Sequence, residues 1–503
     1  MSLTPSLKIL VPAVLSVALA TSGCSDSAFD SSFVYSTSTT SLMREAQDGT
    51  KELPGVKKLV DERFGDPQNL KAWLKLPVDF GGTTATVVEY ATADGQLAQG
   101  TAAPAPYNDS DDARSLATEG ASAIIRVTVE EGQMLPESAT SIVFVSGTGA
   151  GKSAAITAWN SGTGEAMLTS VPDHVPTAGD AVTLDGGSNL KSGRMLYMRH
   201  CSHCHGTSGD GNGPTAQYLN PKPRDYRHGV FKFTSTNDMS KVSRKDLTRI
   251  LKYGIPGTYM PSFLLMKDEE VYAIIEYVRF LSMRGEYERK LDSELAGDFS
   301  QKVVDGRIKA KESRTAIAQE VTEFLAVDLK EAASTLGDDL AEQWTGADSE
   351  EALIVPSIAR IPDSPESRRR GRELFLSKAL NCADCHGADG AGNGPQTIAF
   401  EKNPLTGELY NEPGLHDVWD NANQPRNLHY GIYRGGRRPI DLFCRIHAGI
   451  KGSRMPSFKN TPHEDIWNVV NYVLSIPFET EPGATGVPAP AAAPAAVTVP
   501  QEN

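Results

Sequence analysis

The sequence predicts a mainly α-helical protein with a β-rich segment near its N-terminus. Three observations predict it. Apolar residues recur at helical spacing in two separated stretches, Val271, Ile274, Ile275 and Val278, then Ile466, Val469, Val470 and Val473, so each stretch presents one apolar face. The same short motifs surround both stretches in the same order. Alternating β-branched runs, such as 123–129 and 141–145, are confined to about residues 50–185 and are separated by Gly, Asn and Pro turns.

A chain of 503 residues exceeds one domain; length alone suggests about three. The formal net charge of −14 and modest aromatic content argue against nucleic acid as a partner. Residues 1–23 are expected to be an export signal: Lys8 precedes an apolar run, 9–20, too short to cross a bilayer comfortably. The run ends Thr21-Ser22-Gly23-Cys24. Small residues before a lone Cys resemble a bacterial lipoprotein cleavage site, where Cys24 would carry lipid; Thr21 stands where such sites usually have Leu, and ordinary signal cleavage is the alternative. Residues 24–49, rich in Ser and Thr, suit a flexible tether. The expected location is the periplasmic side of a bacterial membrane, held by lipid.

Residues 50–185 form the β-rich region. Within it, Gly147-Thr148-Gly149-Ala150-Gly151-Lys152-Ser153 suggests a phosphate-binding loop. That pattern needs Gly where Ser146 stands, and a strand pattern follows, so a turn is expected. Residues 285–357 are acidic and helical in pattern, with Val321, Phe324, Leu325 and Leu329 on one face, and are expected to be a helical connector. The Pro- and Ala-rich tail, 479–503, is expected to be disordered.

Cys201-Ser202-His203-Cys204-His205 and Cys382-Ala383-Asp384-Cys385-His386 both read C-x-x-C-H. Each is followed by Gly (Gly206, Gly387) and a turn ending Gly-Asn-Gly-Pro. Two thiols at this spacing can bond the two vinyl groups of one porphyrin while the adjacent imidazole meets the iron. Four of the six Cys lie in these motifs, leaving Cys24 and Cys444, too few for a disulfide framework. A zinc site would need a second ligand pair and a thioredoxin-like pair a βαβ context, and neither pattern accompanies the motifs. The motifs imply two covalently bound haem c groups, with His205 and His386 as proximal iron ligands.

The repeat extends beyond the motifs. Gly193-Arg194-Met195-Leu196-Tyr197 answers Gly371-Arg372-Glu373-Leu374-Phe375, and Pro223-Arg224 answers Pro425-Arg426. Asp246-Leu247 leads to Gly254-Ile255-Pro256-Gly257 and Met260-Pro261-Ser262-Phe263; Asp441-Leu442 leads to Gly449-Ile450-Lys451-Gly452 and Met455-Pro456-Ser457-Phe458. This layout resembles the class I cytochrome c family, duplicated, over 192–282 and 366–477. The resemblance implies two cytochrome c domains, about 190–284 and 364–478, each with an N-terminal helix ending at C-x-x-C-H and crossing a C-terminal helix. It places Met260 and Met455 at the distal iron position, where a soft thioether raises the potential. His228, His447, His200 and His203 lie off that position, and Met266 and Met239 are weaker candidates. The second copy carries an insertion near 400–423 with two readings, a shield for a haem edge or a partner contact.

Arg224 and Arg426 have two readings, hydrogen-bond partners of a haem propionate or solvated loop arginines. Tyr197 and Phe375 are expected to pack near Tyr272, Tyr277, Trp467 and Tyr472. Cys444 is expected to be a buried free thiol. The runs 368–370 and 434–438 make the second domain locally basic, as a solvated helix start and loop or as a docking patch. Two irons with both axial positions filled imply an electron carrier, not an enzyme, working by outer-sphere transfer between redox partner proteins in a periplasmic respiratory chain. The alternative is a haem subunit of an oxidoreductase complex of dehydrogenase or dihaem peroxidase type.

Overall fold

The computed structural model describes residues 33, 34, 55–92 and 123–478, except 68, 69, 74, 132, 150, 151, 170, 171, 173 and 405. The expected export signal, Cys24 and the Pro/Ala tail lie outside the described residues. Of the expected tether only Phe33 and Val34 are described, and they are docked. Phe33 is buried beneath the Arg284 guanidinium, 4.1 Å from its ring centroid, and Val34 donates its N–H to Ser208 Oγ at 2.6 Å.

Helix α1, Val56–Phe64, buries Val56, Val60 and Phe64. The extended residues after it bury Leu76, Val78 and Phe80. Sequence periodicity placed these residues in the β-rich region, but they pack on a long helix of the first helical unit, described below. Six strands follow: β1 Thr83–Thr92, β2 Ala123–Thr128, β3 Ser141–Phe144, β4 Ser153–Asn160, β5 Glu165–Leu168 and β6 Ala181–Leu184. They close an antiparallel barrel in the order β1-β2-β5-β4-β3-β6. Closure runs through Thr83 paired with Leu184 and Thr86 with Ala181. Alternating residues point inward, including Val87, Ile125, Val127, Ile142, Phe144, Val182 and Leu184. A closed sheet has no unpaired edge, which stabilises a barrel this small. A bulge between Val87 and Glu89 adds the twist that closure needs. Gly147–Gly149 is a single turn leading into β4, so the phosphate-loop geometry of a strand feeding a helix does not form.

The first helical unit comprises α2 Ser188–His200, α3 Ser202–His205, α4 Arg244–Tyr253 and α5 Asp268–Phe299. The connector helices are α6 Gln301–Lys309, α7 Arg314–Ala326 and α8 Asp328–Gly346. The second unit comprises α9 Pro365–Leu376, α10 Ala383–His386, α11 Pro439–Ala448 and α12 His463–Ser475. Ser243 caps α4 by accepting from the Asp246 N–H, and Ser364 caps α9 with Pro365 in the first turn. In each unit the first helix crosses the last at a glycine, Gly193 against Ala273 and Gly371 against Asn468. Tyr197 meets Tyr277 at 5.2 Å and Phe375 meets Tyr472 at 5.5 Å, as expected. Tyr272 instead donates to Asp79, and Trp467 packs on Phe443 at 4.5 Å.

Two expectations for the closing helices fail, for one physical reason. Helix α5 does not stop near residue 284 but continues for 32 residues, and it is not amphipathic in place. From Ala273 to Glu288 it is buried on every side, including Glu276, Arg279, Arg284, Glu286 and Glu288. It is the shared core of the N-terminal half: α1, the 76–80 segment and α8 cover the face that a lone helical unit would expose. Phe64 lies 5.4 Å from Phe280, Asp79 donates to Glu276, and Trp344 donates to Glu286 at 3.0 Å. Arg244 pairs with Glu276 at 2.6 Å and also with Asp348. These buried charges are tolerated because they are paired or hydrogen-bonded. Helix α12 is buried all round as well, from Ile466 to Val473.

The two helical units face each other. Arg249 Nη1 donates to the Gly435 carbonyl at 2.6 Å and approaches Asp441 at 3.5 Å. Lys451 donates to Thr236 Oγ1 at 3.0 Å, and Lys459 pairs with Asp238 at 2.8 Å. The chain after α8 joins them further, with Ile354 N–H donating to the Ser235 carbonyl at 2.9 Å.

Candidate haem sites

Each attachment motif is held by local structure. In the first, α2 runs to His200 and α3 carries Cys204 and His205. In the second, α9 ends at Leu376 and a short turn with Asn381 in the left-handed region leads to Cys382. Burial, then the neighbouring motif thiol, pushes Cys201 up to about 12; Cys382 is likewise pushed up to about 12, mainly by burial. Burial pushes both His205 and His386 down to about 4, so both rings are neutral and able to bind a metal. His205 Nδ1 lies 3.1 Å from the Arg224 carbonyl. A carbonyl only accepts, so Nδ1 carries the proton and Nε2 keeps a lone pair free to bind a metal. Tyr226 stacks on the His205 ring at 4.7 Å and fixes its plane. His386 Nδ1 has no hydrogen-bond partner; the backbone of Arg426 faces it more loosely.

The two methionine loops repeat one another bond for bond. Ile255 N–H donates to the Met260 carbonyl at 3.2 Å, and Ile450 N–H to the Met455 carbonyl at 3.1 Å. Met260 N–H donates to Thr258 Oγ1, and Met455 N–H to Ser453 Oγ. Ser262 and Ser457 tie each loop back to the preceding helix. Gly254 and Gly449, which end α4 and α11, adopt φ of 66° and 72°, a conformation that favours glycine. The identical loop in both copies places Met260 and Met455 equivalently.

The second site opens as a cavity of about 360 Å³ whose wall includes Cys382, Cys385, His386, Arg426, Arg434 and Met455. The fold therefore brings every residue expected of that site to one space. Nothing in the sequence reading singled out Arg434, yet a signal was present: it stands eight residues after Arg426, as Lys232 stands eight after Arg224. The Nε atoms of Arg426 and Arg434 are buried without a partner. Burial and the adjacent Arg426 pull Arg434 down from its usual value, with no acidic neighbour to offset them. Two crowded guanidinium groups lacking an anion fit the carboxylate arms of a haem.

Arg224 is placed differently from its counterpart. Its carbonyl, not its guanidinium, touches the His205 ring. The guanidinium carbon lies 3.6 Å from the Trp419 ring centroid, and Nη1 lies 3.9 Å from Asp417. Neither a solvated arginine nor a free one describes it. Trp419 and Asp417 belong to the insertion of the second copy, which thus reaches across to the first unit. Trp419 Nε1 is a further buried donor without a partner.

The other candidates lie elsewhere. His228 sits 5.3 Å from Trp419 and His447 5.3 Å from His463, ring to ring, and His200 lies 6.3 Å from Phe263. Cys444 is buried, and burial pushes its thiol up to about 12. The basic runs are largely engaged within the protein: Arg368 pairs with Asp363, Arg370 with Asp465, Arg438 with Asp441, and Arg434 is turned into the cavity. Among the described residues no helix is long and apolar enough to cross a membrane, and no cluster of three or more His, Cys, Asp or Glu is arranged to hold a metal ion.

None of the curated proteins compared with the chain matches it. Among solved structures, a chain of the Kuenenia stuttgartiensis reducing HAO-like protein complex is similar, at 20% identity and a TM-score of 0.39, covering 57% of this chain and 96% of that one. Residues 190–282 and 369–477 each match the cytochrome c family. These spans enclose both C-x-x-C-H motifs and both methionine loops, so two mostly helical segments that match the cytochrome c family stand beside an N-terminal six-stranded barrel.

Proposed function

We propose that the protein is a dihaem electron carrier of a periplasmic respiratory chain, exported and held to the membrane by lipid on Cys24. Cytochrome c domains imply haem-based electron transfer. The haem, once bound, supplies reversible one-electron chemistry at its iron; the chain supplies attachment, two axial donors, burial and the charge around it. The observation that carries the reading is the duplicated methionine loop, built with the same hydrogen bonds in both copies. A thioether offered at both sites leaves no vacant position for a substrate, which favours carriage over catalysis. Cys201, Cys204, His205 and Met260 would hold one haem, and Cys382, Cys385, His386 and Met455 the other.

A second reading, a haem subunit of an oxidoreductase complex, is favoured by the barrel, an added module that supplies no residue to the wall of the second cavity among the described residues. A potentiometric titration of the purified protein tests the carrier. Two midpoints in the positive range are expected; a strongly negative one would remove methionine from that iron and with it the argument for a closed site. Because Thr83 pairs with Leu184, the barrel can be replaced by a short linker. A pure carrier retains its reduction kinetics after that excision, whereas a complex subunit loses its partner.

A further inference from the structure

The two sites repeat the same pair of cations but not the same neighbours. Arg224 and Lys232 in the first unit correspond by position to Arg426 and Arg434 in the second, and Lys232 also reaches the wall of the second cavity. Arg426 and Arg434 have buried Nε atoms without partners. Arg224 and Lys232 converge on one carboxylate, that of Asp417, which is 2.9 Å from Lys232 Nζ and 3.9 Å from Arg224. Asp417 is only 8% exposed, and its other oxygen accepts the backbone N–H groups of Trp419 and Asn421, both at 3.1 Å. It is therefore a fixed charge, not a mobile surface one. It lies on the insertion of the second domain, and the shorter loop between His205 and Pro223 has nothing equivalent to return to the second site.

We propose that Asp417 makes the first haem site lower in potential than the second. This rests on the reading of both segments as haem sites. A carboxylate offsetting the cations beside a redox centre favours the oxidised, more positive state and so lowers the midpoint; uncompensated cations raise it. Both effects are strong where water is excluded. The insertion thereby gives a duplicated protein a polarity: electrons at equilibrium reside at the second site, and the first is the entry side. Trp419 holds the device in place by covering Arg224 and packing against Gly452 of the second methionine loop.

The test is a potentiometric titration of the full-length holoprotein, with midpoints assigned by magnetic circular dichroism and by the single-haem variants C201A/C204A and C382A/C385A. D417N is expected to raise the lower, first-site midpoint more than the upper one, whose cavity Lys232 also lines. The inter-site equilibrium constant should fall on the order of tenfold, or ~59 mV for one electron. D417E keeps the charge and should keep the wild-type gap. W419F keeps an aromatic ring over Arg224 and retains the carboxylate, and should leave the gap unchanged. Equal movement of both midpoints, no movement in D417N, or the same shift in W419F as in D417N would overturn the proposal. Failure of the wild-type protein to carry two covalent haems would overturn the functional reading itself, a separate result seen by mass before any titration.

Discussion

Gly193 on α2 lies against the backbone of Ala273 on α5, so close that a Cβ there would run into the Ala273 carbonyl oxygen and sit 2.9 Å from Tyr277 Cβ. Gly371 meets Asn468 in the same way, its Cβ position 2.6 Å from the Asn468 carbonyl carbon. The crossing of first and last helices in both helical units thus depends on a missing side chain. Backbone atoms cannot give way as a flexible side chain does. G193A and G371A are each expected to destabilise the holoprotein by about 1–3 kcal/mol, measured by denaturant unfolding. A neutral result at either site would mean that the helices can separate without loss.

Met455 stands in the wall of the second cavity opposite no competing donor among the candidates, since His447 packs on Phe443 and His463. M455A is expected to let carbon monoxide bind at the reduced second site while the wild-type protein does not bind it. Absorbance of the reduced protein before and after the gas is added reads this directly. The first site should remain closed in the same variant.

His228 bridges the domains beside Trp419 and Asp225, and burial followed by the Arg289 charge pushes it down to about 4. The unfolded chain protonates this ring near 6.5, so between about 4 and 6.5 the unfolded state binds more protons than the folded one. The stabilising contribution is present above pH 6.5 and is lost as pH falls toward 4. Denaturation midpoints of H228Q should therefore fall less steeply over that interval than those of the wild type. Parallel pH profiles would show that His228 is not the titrating group.

Cys444 is buried, unpaired and pushed up to about 12, so little thiolate is available for reaction. With the motif thiols bonded to haem, native protein should resist alkylation at residue 444. Denaturant should make it reactive within the unfolding time. Peptide mass spectrometry after iodoacetamide treatment distinguishes the two states, and rapid labelling of native protein would contradict the packing described.

Much of each candidate haem site was legible because its chemistry is local. C-x-x-C-H fixes thiols and imidazole within one turn, and Gly-Ile-x-Gly before Met-Pro-Ser-Phe encodes a loop whose hydrogen bonds stay within a few residues. The β-strands at 123–128 and 141–144 were also visible as alternation. Their closure into a barrel was not, because pairing Thr83 with Leu184 spans most of the region. Nor was the role of the insertion. Nothing near Trp419 in sequence announces Arg224, and the contact exists only because two domains are docked. Helix α5 misled for the same reason: Glu276, Arg279 and Glu286 look like a solvated face until distant segments supply Asp79, Pro77 and Trp344 as partners.

The central claim is that both irons are closed by histidine and methionine. The near-infrared absorbance of the oxidised protein, measured per covalent haem, tests it most directly. The account expects the weak methionine-sulfur-to-iron band at full intensity for two haems and no high-spin signal. A band equivalent to a single haem, accompanied by a high-spin component that reacts with peroxide, would contradict the carrier and point to an enzyme.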